Sequence, residues 1–288
     1  MTRLLTFGSA GQFGTDIAAA AKGRADFTFL PFGRDRLDLS DTDAIRLALE
    51  REDFDVVLYC ASVHKTDAVE LDADPAFQVN VRAADAIAAW CAEAGKLFVY
   101  YSTDYVFSGI GRKTPYDELA AKDPVNVYGA SKAMGETLVL RYPTTTVLRM
   151  ASLFGTAGAS GKGGNFVETM IRFGRERGKL SVVNDQVMSP TATADIVKMT
   201  LDLLAAEAPA GIYHVVNSGQ ASWYEFACEI IKLAGVDAVV EPTTSAAFKT
   251  VALRPAYSVL DTAKLSRIIG TPDHWRDALA RYMAACKG

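Results

Sequence analysis

Five short runs dominated by branched aliphatic and aromatic residues punctuate the first half of the chain: RLLTFG, DFTFLPF, DVVLYCAS, KLFVYYST and TTVLRMAS. Alanine-rich, helix-like stretches such as AADAIAAWCAEAG lie between them. Strands that are apolar at consecutive positions must be covered on both faces. Covering them with intervening helices makes neighbouring strands run parallel. The pattern predicts an α/β fold with a doubly wound parallel sheet, the Rossmann arrangement. LSVVNDQ and GIYHVVN supply two further candidate strands, and after about Asn217 the rhythm changes to helix-like segments broken by proline-containing loops near EPTTS and LRPAY. No internal repeat or low-complexity linker separates the two regimes, so they are read as interleaved.

At 288 residues, half of them hydrophobic, the chain is long enough for a large core and for a second, smaller region sharing a cleft with the first. A formal net charge of −4 with no basic block argues against nucleic acid or an anionic membrane as partner. The four cysteines, Cys60, Cys91, Cys228 and Cys286, are scattered, form no CxxC pair and have no histidine at ligand spacing, so they read as reduced thiols. No signal-peptide pattern precedes RLLTFG and no apolar run reaches membrane-spanning length. The expected location is the cytoplasm.

The first strand runs into GSAGQFG, with glycines at Gly8, Gly11 and Gly14, and then into helix-like TDIAAAAKG. A glycine turn between a strand and a helix aims backbone N–H groups and a helix N-terminus at a pyrophosphate, so residues 1–152 are expected to form a dinucleotide-binding domain, with 181–216 returning to it. After the second strand, PFGRDRLD places Arg34 where a 2′-phosphate could be clamped, although a solvated loop charge would look the same. The reading leans to NADPH, with NADH also accepted. Asp38 and Leu39, ahead of a helix that Ser40 or Asp41 could cap, are positioned for the adenine edge. In VYGASKAMGE, Tyr128 and Lys132 stand one helical turn apart, separated by the small residues Gly129, Ala130 and Ser131. Such a pair is either an ordinary surface contact or a phenol whose pKa a nearby ammonium lowers toward neutrality.

YxxxK, an amino-terminal GxxGxxG and STDYVF at Ser102–Phe107 together resemble the extended short-chain dehydrogenase/reductase superfamily. Within it, GSAGQFG, STDYVFSG, YGASKAMGE, VLRMASLFG, NFVETMIRF, SVVNDQVMSPTATADI, GIYHVVNSGQASWYEFA and RPAYSVLDTAKL resemble, in order, the blocks of the dTDP-4-dehydrorhamnose reductases. The resemblance spans nearly the whole chain, and DQxxSPT and RPxxSxLDTxKL are its most selective blocks. It implies Thr103 as donor to a substrate carbonyl oxygen, Tyr128 as the acid, and Lys132 as ribose ligand and support for Tyr128. It implies Gly8, Gly11, Gln12, Phe13 and Gly14 at the pyrophosphate, Cys60, Ala61 and Ser62 along the adenosine half, and Asn80 and Arg149 as supports. Asp104, Tyr105, Asn165 and Phe166 are implied near a nucleotide-sugar, with 153–180 and 217–288 forming the region that binds it.

Two departures bear on the sugar. The aromatic pair usual after Ser152 is replaced by Leu153 and Phe154, and VHKTDAVE differs from the common form, with His64 either lining the substrate side or sitting in an ordinary loop. Some relatives use Mg²⁺ between subunits, but scattered glutamates near the C-terminus form no ligand pattern, so no metal residue is assigned. A homodimer is the candidate assembly. The expected reaction is NAD(P)H-dependent reduction of a nucleotide-activated 4-keto deoxysugar. Two rivals share the fold: an epimerase or dehydratase that recycles tightly held NAD, and a non-catalytic dinucleotide-binding regulatory subunit.

Overall fold

The computed structural model describes residues 1–33, 36–156 and 164–286. All five apolar runs of the first half are strands: β1 (Thr2–Phe7), β2 (Phe27–Phe32), β3 (Val56–Tyr59), β4 (Leu97–Thr103) and β5 (Thr145–Met150). With β6 (Gly211–His214) they form one six-stranded sheet in the order β6-β5-β4-β3-β1-β2, parallel at every pairing. Successive side chains feed two cores. Leu5, Phe7, Val57, Tyr59, Phe98 and Tyr100 meet the helices Thr42–Glu50 and Ala84–Glu93 on one face. On the other, Leu4, Val56, Leu58, Val99, Tyr101 and Leu148 meet Gln12–Ala21 and Thr193–Ala205. Each large side chain fully buried this way contributes about 1.5–3 kcal/mol, which is why the strands carry no polar alternation.

The C-terminal part builds its own core around Trp275, Phe226, Phe154, Val167 and Leu279. Its strands are short and paired in twos, Lys179–Val183 with Val239–Thr243 and Val187–Met188 with Ala221–Ser222. Within the stretch 181–216, Gly211–His214 joins the large sheet, whereas the strand containing Ser181–Val183 pairs in the smaller region. The segment Tyr257–Leu260 packs with Val106, Phe107 and Tyr116 in a further cluster, bringing the far end of the sequence behind the C-terminal end of β4.

The helix Val127–Val139 carries the Tyr–Lys pair, and its start is fixed twice. The Asn126 side chain accepts from the Gly129 N–H at 2.7 Å, and the Glu70 carboxylate accepts from the Val127 N–H at 2.9 Å. Both satisfy N–H groups that a helix leaves unpaired, and an acid there also complements the helix dipole. Gly129 is obligatory for close packing, because a Cβ on it would run into the Tyr105 carbonyl oxygen.

Candidate active site

The chain passes from β1 to β2 on one side and then crosses to β3 on the other, which opens a crevice beyond the C-terminal ends of β1 and β3. Gly8 turns the chain there with φ of 76°, and a Cβ on it would lie 2.9 Å from the Ala61 nitrogen. The glycine loop and Cys60–Ser62 are thereby held in contact. The helix Gln12–Ala21 begins inside this loop, so the N–H groups of its first turn, at Gln12, Phe13 and Gly14, lack intrahelical acceptors and suit a phosphate. The Phe13 ring itself turns inward, edge-on to Tyr101 at 4.6 Å, leaving its backbone for the loop. Asp41 is the cap of Thr42–Glu50, accepting from the Ala44 N–H at 2.9 Å. Asp38 is exposed and accepts from the Ser40 N–H at 2.9 Å, while Leu39 is partly buried against the first core. Arg34 lies outside the described residues.

Lys132 is 1% exposed, and its ammonium has no hydrogen-bond partner; it sits 3.9 Å above the centroid of the Tyr100 ring. Burial lowers its pKa to about 7, with Glu136 and Cys60 opposing. Tyr128 goes the other way. Burial, reinforced by the Asp104 carboxylate, raises its pKa to about 12 against the neighbouring Thr103 and Ser62 hydroxyls. The expectation of a phenol acidified by Lys132 is therefore reversed, because the cost of a buried phenolate outweighs any cation one turn away. Among the described residues six buried side-chain atoms lack a partner, and four of them, Gln12 Nε2, Ser62 Oγ, Ser102 Oγ and Lys132 Nζ, lie at the C-terminal edge of the sheet. Buried polar groups are normally satisfied. Two of these are obligate donors, so the set fits a ligand rich in hydroxyl and phosphate acceptors, as the implied nicotinamide dinucleotide is.

Behind these groups is a polar frame. Asn80 bonds the Ser131 hydroxyl at 3.0 Å and spans the Val63 backbone, accepting at 3.0 Å and donating at 3.1 Å, while Tyr100 donates to the Asn80 carbonyl at 2.7 Å. Asn80 lies in a π-helical turn, Gln78–Ala83, a distortion frequent at functional sites. Arg149 grips Glu136 with two bonds of 2.9 and 2.8 Å, both side chains fully buried. Arg149 also faces His214 at 3.3 Å, and burial together with that cation pushes the His214 pKa down to about 3. Sequence reasoning did not single out Glu136, although its place one turn beyond Lys132 on the same helix was visible.

On the opposite side of Tyr128, the Tyr105 ring stands edge-on at 6.0 Å. Asp104 is 3% exposed and is held by Thr103 at 3.1 Å and Ser258 at 2.5 Å, so it lies behind Thr103. His64 is half-buried in the turn after β3, its Nδ1 3.5 Å from the Ser62 carbonyl. Asn165 is the cap of Phe166–Arg177, and its amide donates to the Gly155 carbonyl at 2.9 Å and the Tyr282 hydroxyl at 3.0 Å; Phe166 packs on Trp223 at 4.6 Å. The contacts of these two are with the smaller region. Phe154 is fully buried in that region's core, and Leu153 packs against the second core of the sheet. Among the described residues, no three His, Cys, Asp or Glu side chains converge as a metal site, and no helix is long and apolar enough to cross a membrane.

A strap from the smaller region closes over the start of the Tyr–Lys helix. Arg254 forms two bonds of 2.8 Å to Asp67, Asp67 also accepts from the Ala252 N–H at 3.0 Å, and Asn126 donates to the Leu253 carbonyl at 2.8 Å. The guanidinium holds the Asp67 carboxyl well below the usual carboxylate range. The pair is partly exposed, which limits its worth. Asp67→Asn is expected to lower stability by only about 1 kcal/mol in urea unfolding. A loss of more than about 3 kcal/mol would show that the pair contributes more than a partly exposed ion pair does.

A parallel sheet with its crevice at the strand reversal, a glycine loop on a helix N-terminus, Thr103 beside Tyr128, and Lys132 one turn along the same helix are features of the extended short-chain dehydrogenase/reductase superfamily. The chain matches the RmlD substrate binding domain family over residues 1–287 and belongs to that family. It is 38% identical to a dTDP-4-dehydrorhamnose reductase of Streptomyces griseus, over 99% of this chain and 94% of that protein. The crystal structure of a dTDP-4-dehydrorhamnose reductase from Clostridium acetobutylicum matches with a TM-score of 0.92 at 33% identity, covering 99% of this chain and 100% of that one. That of the Bacillus anthracis enzyme in complex with NADP matches with a TM-score of 0.91 at 33% identity, covering 99% of each chain.

Proposed function

We propose that this chain reduces the 4-keto group of dTDP-4-dehydro-L-rhamnose to give dTDP-L-rhamnose, with NADPH as reductant and NADH as a poorer one. The observation that carries the reading is the buried ammonium of Lys132, without a hydrogen-bond partner, one helical turn from the phenol of Tyr128, which has the Thr103 hydroxyl beside it. A carbonyl reduction needs a proton donor that is still protonated at neutral pH; an ordinary phenol, with a pKa of about 10, already is, and burial keeps Tyr128 so. The nicotinamide, when bound, supplies hydride to the carbonyl carbon. Tyr128 gives its Oη proton to the carbonyl oxygen, and Thr103 is the second donor to that oxygen. Lys132 binds the ribose hydroxyls and stabilises the phenolate left on Tyr128, with Asn80, Glu136 and Arg149 holding the helix that carries both. Gly8, Gly11, Gln12, Phe13 and Gly14 hold the pyrophosphate, and Cys60–Ser62 the adenosine side. The burial of Asp104, with both carboxylate oxygens engaged, disfavours its service as the direct acid of a dehydratase.

The test is oxidation of NADPH and of NADH, followed at the nicotinamide absorbance, with dTDP-4-dehydro-L-rhamnose generated in situ. Stoichiometric NADPH consumption with dTDP-L-rhamnose as product supports the reading. A copurifying nicotinamide with no net NADPH consumption points to an epimerase or dehydratase, and cofactor binding without any turnover to a regulatory subunit. In the same assay Arg34→Ala is expected to raise KM for NADPH about 10–100-fold, the worth of one charge-assisted contact, and to leave KM for NADH within about twofold. Equal losses for both cofactors would sink the 2′-phosphate assignment.

A further inference from the structure

Thr103 has one hydroxyl proton, and a buried carboxylate, Asp104, competes for it beside the Tyr128 phenol. Thr103 Oγ1 donates to Asp104 Oδ1 at 3.1 Å and accepts the Tyr105 N–H at 3.2 Å. The other carboxylate oxygen, Oδ2, accepts from Ser258 Oγ at 2.5 Å. With Asp104 ionised, both of its oxygens are acceptors and Thr103 has no proton left for a carbonyl oxygen. We infer that Asp104, held by Ser258 and acting through Thr103, is a positioning residue that sets whether the Thr103 hydroxyl donates to the substrate. The inference rests on the reductase reading above.

Protonating Asp104 on Oδ1 reverses the hydrogen bond: the carboxylic acid donates to Thr103 Oγ1, and the hydroxyl proton of Thr103 turns toward the substrate. The proton on Asp104 comes from solvent and stays there through the reaction. The proton that ends on the product comes from Tyr128, so the balance of the reduction is unchanged. An ionised Asp104 would also place a negative charge behind the oxygen on which negative charge grows, the wrong sign for catalysis. Burial raises the Asp104 pKa to about 6, opposed by the bonds from Ser258 and Thr103. The groups facing this carboxyl are the Thr103 and Ser258 hydroxyls, the Asp104 and Tyr105 backbone N–H groups, which also favour the carboxylate, and the Tyr105 and Tyr128 phenols, both pushed up by burial and hence neutral. Among the described residues no cation is a leading cause of its shift, and Arg254 acts on the neighbouring Tyr105.

The experiment is single-turnover reduction of dTDP-4-dehydro-L-rhamnose at saturating NADPH from pH 5 to 8, in the wild-type chain, Asp104→Asn and Ser258→Ala, with thermal melts confirming that each variant is folded. The wild-type rate is expected to fall with rising pH through a midpoint near that of Asp104, separate from any limb of Lys132 nearer pH 7. In Asp104→Asn the amide donates to Thr103 at every pH, so the lower midpoint disappears. Ser258→Ala removes a bond that favours the carboxylate, so the midpoint moves up by about half to one pH unit. An Asp104→Asn variant that keeps the lower midpoint, a Ser258→Ala midpoint that stays or moves down, or a wild-type profile flat below pH 6.5 would each overturn the inference alone. A wild-type chain with no turnover on this substrate at any pH would instead remove the reductase reading, and this inference with it.

Discussion

Tyr128→Phe is expected to lower kcat by about 10²–10⁴-fold while leaving the Kd for NADPH within about twofold. The substitution deletes one oxygen and keeps the ring, so the edge-on contact with Tyr105 and the start of the helix Val127–Val139 survive. What goes is the phenol beside the Thr103 hydroxyl, protonated at neutral pH. Water can supply a proton in its place, which sets the lower end of the range. Cofactor affinity is read by quenching of protein fluorescence and kcat by NADPH consumption. A variant retaining more than about a tenth of wild-type kcat would mean that chemistry is not rate-limiting or that Tyr128 is not the acid, and a single-turnover measurement separates the two.

Lys132→Met should remove activity and stabilise the fold. Loss of the ammonium deprives the phenolate forming on Tyr128 of its cation, and kcat is expected to fall by about 10²–10³-fold, the scale of one electrostatic donor in a buried site. The stability effect has the opposite sign. In the unfolded chain Lys132 titrates near 10.5, and in the fold near about 7. Below pH 7 both states carry the proton, and the folded one bears the full cost of burying it, at most about 5 kcal/mol at about 1.4 kcal/mol per pH unit. Between pH 7 and 10 the unfolded chain binds a proton that the folded chain lacks, so the cost fades as pH rises. Methionine removes it and also forfeits the contact with the Tyr100 ring, worth about 2 kcal/mol when desolvated. The expected net gain is about 1–3 kcal/mol at pH 6, shrinking to nothing or reversing by pH 10, by urea unfolding at the two pH values. A variant less stable than wild type at pH 6 would show that Lys132 is satisfied in the fold by groups that offset its burial.

The glycine turn, the five main strands and the Tyr–Lys helix were legible because each is written locally: short runs apolar at consecutive positions, as a sheet buried on both faces requires, a glycine run between strand and helix, and two functional side chains one turn apart. Other features were not. Ser258 lies 154 residues from Asp104 in the chain, and nothing in RPAYSVLDTAKL signals that its hydroxyl ends on that carboxylate. Nothing in the sequence signalled that the Leu153 and Phe154 side chains enter two different hydrophobic cores, Phe154 fully buried. Nor did the sequence signal that the Asn165 amide caps a helix and bonds the Gly155 carbonyl and Tyr282.

By itself the sequence determined the parallel sheet, the place of the dinucleotide loop and the one-turn spacing of Tyr128 and Lys132, because backbone periodicity and turn chemistry act over a few residues. Only the tertiary structure decided the charge states that matter. Spacing predicted a phenol made more acidic by its lysine; packing raises Tyr128 to about 12 and lowers Lys132 to about 7. Desolvation is set by everything that closes around a group, from every part of the chain at once, and no local pattern encodes it.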